Sequence, residues 1–587
     1  MEVIVVNHGR GLAFAGLALL GTLPFGSAQA FQVRSGDWAT SLDTTLSYGV
    51  SYRMEGQDRK LIARANGGTG ANAALINSDD GDLNFKKGEL FSEVAKIVSE
   101  LDLRYQDDYG IFVRGRAFRD FELEDDERRH RQISDAGLDE AGSSADLLDA
   151  FVFGSWTLNE RALNARLGRQ VINWGESLFY QNGIGATNPV DINALRAPGS
   201  EVKEAYMPTF MTYASYELRD NLSIEGYWQP GKAWEASKID PCGTYYSTLD
   251  VLGEGCNYLS VPPLQEPLTR GLAFDNPDAA QAFANRLPAG GLNSLLKGYL
   301  PTTFIPRAQD VDGDDSAQYG AALRWYVPQL NDTELGLYYL RYNMQVPMIG
   351  LTVGKPVRLP VVGVLPDASS SRYYAEYLEK RDLYGISFNT SIGGDSIFNG
   401  LSLAGELSYR PDTPIALGLN EYLPTALLGN LAGIPVGTRL DGYREKDMAQ
   451  ASLSAIYNFN GLLGSDSATL LSEFVASRVQ GLESDIDYYE ATSSATGAQA
   501  SLQLNYTNVF NLLTLSPNVS YQYSINGVAP QLTNGLDEEA QSYSLGIDAI
   551  YKESLAVGAK YVGYSGGGLS NKRTDRDFLS LNIKYSF

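Results

Sequence analysis

Between Trp38 and Met54, apolar or lipid-tolerant side chains occupy every second position: Trp38, Thr40, Leu42, Thr44, Leu46, Tyr48, Val50, Tyr52 and Met54. A period of two is the mark of a β-strand with one apolar face. Strands of soluble sheets average about five or six residues, whereas a tilted strand crossing a bilayer needs about nine to eleven. The length of this run therefore points to a strand whose apolar face is covered by lipid.

Similar segments recur along the chain, among them residues 97–105, 147–158, 163–174, 317–327, 383–392 and 543–551, and we count eighteen. The connections between them alternate long and short. Residues 55–93 and 121–146 form long ones, while Gln106 to Asp108, Asn159 to Arg161, Arg219 to Asn221 and Lys552 to Ser554 are tight. Strands running up and down through one membrane produce this alternation, with short turns on the periplasmic side and elaborated loops outside. The final segment carries Leu579, Leu581, Ile583, Tyr585 and Phe587 between Ser580, Asn582, Lys584 and Ser586. A terminal Phe on such a strand resembles the signal read by the barrel-insertion machinery. The expected fold class is all-β: a transmembrane antiparallel β-barrel of about eighteen strands with long extracellular loops, at least one of them folded into the lumen.

Export signals agree. A short start with His8 and Arg10, an apolar run from Leu12 to Phe25 and the small-x-small site Ala28-Gln29-Ala30 read as a cleaved signal peptide, residues 1–30, leaving residues 31–587 as the barrel. A mean hydropathy of -0.20 is too polar for a helical membrane protein, and no later stretch offers the roughly eighteen apolar residues of a spanning helix. The expected location is the outer membrane of a Gram-negative bacterium, with membrane lipid and lipopolysaccharide as surroundings.

If the apolar set faces lipid, the alternate set faces the lumen. That set contains Asp102, Arg104, Arg114, Arg116, Glu217, Glu225, Arg324, Glu406, Arg410, Asp548, Lys560 and Lys584, seven basic and five acidic. A mid-bilayer Arg or Lys on the lipid face costs about 2 to 4 kcal/mol, which excludes the reverse assignment. The mixture of signs argues against a strongly ion-selective pore and is expected to form mutually satisfied pairs. The phase is ambiguous around Arg169 and Glu473.

The net charge of -24 makes nucleic acid an unsuitable partner. Acidic outer loops are suited to divalent cations, and Asp310, Asp312, Asp314 and Asp315 are the best-grouped calcium candidates, although their spacing is not that of an EF-hand; a solvated acidic loop is the simpler reading, and no other cofactor is expected. Cys242 and Cys256 lie in the longest loop, in an oxidising compartment, so a disulfide is expected; closing that ring restricts the unfolded loop by about 3 kcal/mol. Residues 345–366, 414–436 and 290–306 are unusually apolar for outer loops. They form either a binding surface or folded-in constriction, or a lid in which they pack on one another.

Enzyme chemistry is not expected. His130, the one histidine beyond the signal peptide, sits in the charged run Glu127 to Arg131 and reads as a solvated loop residue. No nucleophile elbow, phosphate loop or zinc spacing appears, and the seven residues before Trp38 leave no room for the plug of an energised receptor.

Four stretches carry a family likeness: residues 166–177 (RLGRQVINWGES), 187–191 (TNPVD) with 195–207 (LRAPGSEVKEAYM), 383–389 (LYGISFN) and 405–411 (GELSYRP). They resemble the domain of unknown function 1302 family of outer-membrane proteins. The resemblance implies a barrel that occurs beside an outer-membrane lipoprotein of a second uncharacterised family and an inner-membrane resistance-nodulation-division type permease, in sets that move hydrophobic, lipid-like or steroid-like compounds. It implies no catalytic or ligand residues. From the residues themselves, the segment 175–208 holds rigid Asn188-Pro189 and Ala197-Pro198 turns among charged groups, and is expected to fold into the barrel. Arg169, Gln170, Trp174, Glu176, Asp191, Arg196, Glu406 and Arg410 are the candidates for lining or blocking the path, or for bracing it. Three functions are then in play: a conduit or docking barrel for hydrophobic molecules in an envelope-spanning system, an autonomous diffusion porin for small solutes, and a plugged structural or interaction barrel.

Overall fold

The computed structural model describes residues 31–587 apart from 71, 270, 291, 360–362, 394–398, 490 and 531–534; the expected signal peptide, 1–30, lies outside the described residues. Nineteen strands hydrogen-bond in one sheet. Phe31–Ser35 is a short addition, and the other eighteen form the ring. In chain order the first nine are β1 (Trp38–Arg53), β2 (Leu90–Tyr105), β3 (Tyr109–Asp120), β4 (Ser143–Leu158), β5 (Arg161–Gln170), β6 (Thr209–Arg219), β7 (Leu222–Gln229), β8 (Gln318–Val327) and β9 (Thr333–Tyr342). They continue with β10 (Arg381–Ile392), β11 (Leu401–Ala416), β12 (Tyr443–Phe459), β13 (Ser467–Val479), β14 (Ser494–Val509), β15 (Leu513–Asn526), β16 (Gln541–Tyr551), β17 (Leu555–Ser565) and β18 (Phe578–Ser586). Each pairs antiparallel with its chain neighbours, and β18 closes on β1 from Thr45 opposite Ser586 to Arg53 opposite Phe578.

Closure is completed at the rim. Thr44 and Phe587 exchange both backbone hydrogen bonds, at 2.8 and 2.9 Å. Below the carboxyl terminus, Phe31–Ser35 continues the ladder by pairing with residues 38–42 of β1. The tight turns use consecutive residues in the left-handed region, Gln106 and Asp107, Asn159 and Glu160, Asn331 and Asp332, Lys552 and Glu553, the backbone that matches the right-handed twist of a two-residue hairpin.

The outer face is an apolar belt that includes Leu337, Ile386, Leu453, Leu545 and Val557, each about half exposed on the isolated chain. Aromatic pairs flank it at the turn side, Trp38 with Tyr105, Tyr109 with Trp156 and Tyr585 with Phe587. A second aromatic row, with Tyr339 against Tyr384 and Tyr543 against Tyr561, lies toward the long loops. Apolar belts bounded by two aromatic girdles are how barrels sit in a bilayer. No helix among the described residues is long and apolar enough to cross a membrane.

The segment expected to run from 163 to 174 as one strand ends earlier, at Gln170. Gly168, at φ +135°, breaks the pleat, and beyond Gln170 the Ile172 amide donates to the Asn188 side chain rather than to a neighbouring strand.

Above the barrel the long loops pack on one another. Leu351, Tyr373 and Ala375 meet Tyr422, Ala426 and Leu427 and, from the disulfide loop, Val251, Leu252, Val261 and Ile305 in one apolar cluster. Described residues of all three apolar loop runs thus pack on one another, as the lid alternative expects; residues 291 and 360–362 of these runs lie outside the described residues. The Cys242–Cys256 disulfide is formed, with Cα atoms 5.5 Å apart.

Leu545→Arg on the lipid face is expected to cost about 2 to 4 kcal/mol, whereas Ser544→Arg, one residue along and facing inward, costs far less. Urea unfolding of the two variants in lipid vesicles checks the assignment of faces.

Candidate functional site: the inward loop and the lumen wall

The connection from β5 to β6, residues 171–208, folds into the barrel and is held on both sides of it. On one side, the Glu406 carboxylate of β11 accepts the amides of Glu176 (2.6 Å) and Ile184 (2.9 Å). Glu473 of β13 accepts the Ser177 hydroxyl (2.6 Å) and the amides of Leu178 (3.1 Å) and Phe179 (2.6 Å). Arg410 donates to the carbonyls of Asn182 and Gly183, and Gln450 to that of Gln181. Gly175 and Gly183 make room for this: a Cβ on either would collide with the Glu406 carboxylate. Tyr180 then packs on Val475, Ala495 and Leu536.

On the other side the loop is fixed by ion pairs. Arg116 of β3 holds Asp191 at 2.9 Å and Asp146 at 2.8 Å. Lys96 of β2 holds Glu204 at 2.7 Å, Lys203 reaches Glu100 at 2.8 Å and Lys584 of β18 reaches Glu201 at 3.2 Å. Buried carboxylates and ammonium groups persist in such surroundings only when partnered in this way.

The sequence candidates fall along this path with distinct contacts. Trp174 donates through Nε1 to Glu225 at 2.8 Å and packs against Tyr227 and Tyr338. Glu176 accepts from Asn389 at 3.0 Å. Asp191 also accepts from the Ala194 amide, capping a short helix. Arg196 pairs with Asp240 and stands 4.8 Å over the Tyr246 ring. Gln170 is fully buried and donates to the Met211 carbonyl at 2.9 Å. Arg169 pairs with Glu235 at 2.6 Å. Sequence reasoning missed Glu473, Lys96, Glu201 and Glu204 as anchors. Glu473 alternates in phase with Val475, an apolar residue facing inward onto Tyr180, so hydropathy alone does not orient this strand.

The loop leaves part of the wall uncovered. Gln503, Asp548 and Lys560 face inward from β14, β16 and β17 and are exposed to the lumen, with Ser520, Gln522, Ser542 and Ser544 between them. Next to the loop, a small cavity of about 60 Å³ is lined by Phe91, Val94, Phe118, Leu123, Tyr245 and Tyr246, with Ala194 and Ala197 from the loop. Its lining also includes the charged side chains of Lys96, Arg116, Arg196, Asp120, Glu204 and Asp240, of which the three cations are paired with Glu204, Asp191 and Asp240.

The family described as protein of unknown function (DUF1302) matches residues 11–587. The chain belongs to the DUF1302 family. Among solved structures this DUF1302 protein aligns with porins. It aligns with OccAB3 of Acinetobacter baumannii at 10% identity, covering 93% of this chain and 99% of that one, TM-score 0.39. It aligns with a BenF-like porin of Pseudomonas fluorescens Pf-5 at 9% identity, covering 93% and 98%, TM-score 0.40, and with Salmonella typhi OmpF in complex with daunomycin at 10% identity, covering 95% and 100%, TM-score 0.36. Comparison with curated proteins finds no match.

Two loop readings of the DUF1302 chain change. Asp310 pairs with Arg307 at 2.8 Å, and Lys232 lies 2.8 and 3.4 Å from Asp314 and Asp315; among the described residues these aspartates do not converge into a metal-ligand group. His130 is not solvated. Its ring lies between Asp80 and Asp275, and although burial works against the charged form, these carboxylates raise it to about 10.

Burial raises Glu122 and Glu140, both in the 121–142 loop, from 4.5 to about 7, against the opposing pull of Arg128 and Lys238. A raised folded-state pKa contributes stability that is present below about pH 4.5 and is lost as pH rises to about 7. Limited proteolysis of this loop is therefore expected to accelerate from pH 5 to pH 8. Replacing Glu406 and Glu473 together by Ala leaves buried amides without acceptors, at about 1 to 3 kcal/mol for each, and is expected to free the loop and raise single-channel conductance while the barrel stays folded.

Proposed function

We propose that the protein is an outer-membrane conduit for molecules with an apolar body, gated by the inward loop and the lid. The observation that carries this reading is the largely apolar cavity between β2, β3, the inward loop and the disulfide loop, lined by Phe91, Phe118, Tyr245 and Tyr246, in which the cations Lys96, Arg116 and Arg196 are already paired and do not recruit an anionic solute. An apolar body gains by leaving water for such a surface; at about 60 Å³ the cavity admits only an edge of it, so the inward loop has to shift for a whole lipid-like or steroid-like molecule to pass. We take the family likeness to supply the rest of the route: an outer-membrane lipoprotein and a resistance-nodulation-division type permease that hand over lipid-like or steroid-like cargo.

A second reading, a diffusion porin for small polar solutes, is favoured by the uncovered stripe of Gln503, Asp548 and Lys560 with the Ser and Gln side chains beside it. The two readings differ in what a narrowing change does. Ala197→Phe, which fills the cavity, is expected to lower uptake of a fluorescent sterol into proteoliposomes with ion conductance unchanged; loss of sugar permeation with sterol uptake unaffected overturns the first reading in favour of the second. Purification from native membranes in mild detergent, followed by mass spectrometry, is expected to recover a lipoprotein, a permease and an apolar small molecule. Recovery of the barrel alone removes the envelope-spanning part of the proposal.

A further inference from the structure

On the periplasmic side of the inward loop, the lumen wall carries a cation that the wall itself does not neutralise. Arg166 of β5 alternates with Leu167, which is 46% exposed on the lipid face, and so points inward, just before the chain leaves the sheet at Gln170. Its cross-strand neighbours are Phe153 of β4 and Tyr213 of β6. The guanidinium carbon stands 4.5 Å from the centre of the Tyr213 ring and 5.7 Å from that of Phe151. Among the described residues no carboxylate comes within ion-pair distance of Arg166, and no acceptor takes a hydrogen bond from it.

The charges around it are engaged elsewhere. Asp149 and Glu225 are the carboxylates whose charge reaches Arg166, but Asp149 is bound to Arg114, and Glu225 lies 2.8 Å from both Arg324 and the Trp174 indole nitrogen. Arg104, which stands over the Phe153 ring, is held by Asp102 at 2.7 Å. Toward the turns the wall is neutral: Asn164 accepts from Ser155 at 2.7 Å and donates to Ser215 at 3.4 Å. A guanidinium whose N–H fork is unused is a receptor for a planar carboxylate, which takes two parallel bonds from it.

An apolar surface adjoins the fork. Phe112 of β3 lies 5.5 Å from Phe151, and Phe151 lies 6.3 Å from Phe153, ring centre to ring centre. Gly168, opposite Phe151, places no side chain over these rings. Tyr213 packs in turn on the cluster of Trp174, Ile184 and Met211, so the aromatic strip runs up to the underside of the inward loop. We infer that Arg166 is the headgroup-binding residue of a site for amphipathic carboxylates, whose aromatic or aliphatic body lies along Phe112, Phe151 and Phe153. The inference rests on the conduit reading and narrows it to cargo with one anionic end, met on the periplasmic side of the gate. A small polar anion leaves the rings unused and a neutral lipid leaves the fork unused; a molecule with both ends engages both.

The test uses the full-length protein in a non-ionic detergent, with 2-naphthoate as the probe and the isosteric 2-naphthamide as its uncharged counterpart, followed by naphthalene fluorescence. Wild type is expected to bind naphthoate at least about tenfold more tightly than naphthamide, as a hydrogen-bonded contact to a charged group provides. Arg166→Gln is expected to remove that preference, and Arg166→Lys, which keeps the charge but not the fork, to retain part of it. Phe151→Ala is expected to weaken both probes alike. Because a wall variant can fail to fold, wild type is also titrated with NaCl, which is expected to weaken naphthoate binding and leave naphthamide binding unchanged. Equal affinity of wild type for the two probes, binding of neither, or an unchanged preference in folded Arg166→Gln overturns the inference. Sterol uptake by wild type, measured separately in proteoliposomes, reports on the conduit itself, so the two failures are told apart.

Discussion

Everything in this molecule depends on the exchange of hydrogen bonds between β1 and β18. Within a bilayer no water replaces a missing partner, so a sheet that spans it must have no edge. The registered pairing from Thr45 to Arg53, finished by the reciprocal bonds of Thr44 and Phe587, removes both edges at once. Once the ring is closed, the alternation of the strands acquires two meanings. One set of side chains meets hydrocarbon, and the other is enclosed in a lumen where charges are retained as pairs. The inward loop is possible only because that second set offers carboxylates and cations to hold it.

Much of this arrangement is written locally. The period of two, the tight turns and the terminal Phe587 locate the strands because each is a consequence of one chain segment in one environment. The inward direction of Arg116, Glu406 and Arg410 is legible for the same reason, since lipid rejects them. The strand end at Gln170 is not legible, because Ile172 and Trp174 keep an apolar character while burying it against the lumen wall rather than lipid. Glu473 escapes because its apolar neighbour Val475 packs on Tyr180, so both faces of β13 carry apolar groups. Hydropathy does not distinguish a residue covered by lipid from one covered by the protein's own loop.

The lid shows a different limit. His130 stands in a run of charged residues that looks solvated, yet the partners that bury it, Asp80 and Asp275, come from segments 50 residues earlier and 145 later. The Asp310 to Asp315 group looks dense along the chain but is dispersed onto Arg307 and Lys232. Charge density in sequence and charge convergence in space are separate quantities, and the loops, whose contacts are set by the tertiary fold, are where they diverge.

The two-sided anchoring of residues 171–208 also has a mechanical consequence. A closed sheet of this circumference is a thin shell, compliant toward flattening under the lateral pressure of the surrounding lipid. A segment tied to β11 and β13 at one end and to β2, β3 and β18 at the other acts as a strut across the shell. On the proposed conduit function, cross-section and permeation would thereby be coupled: whatever dislodged the strut to admit a molecule would also soften the wall, and a bilayer of different thickness or tension would change how readily the strut is released.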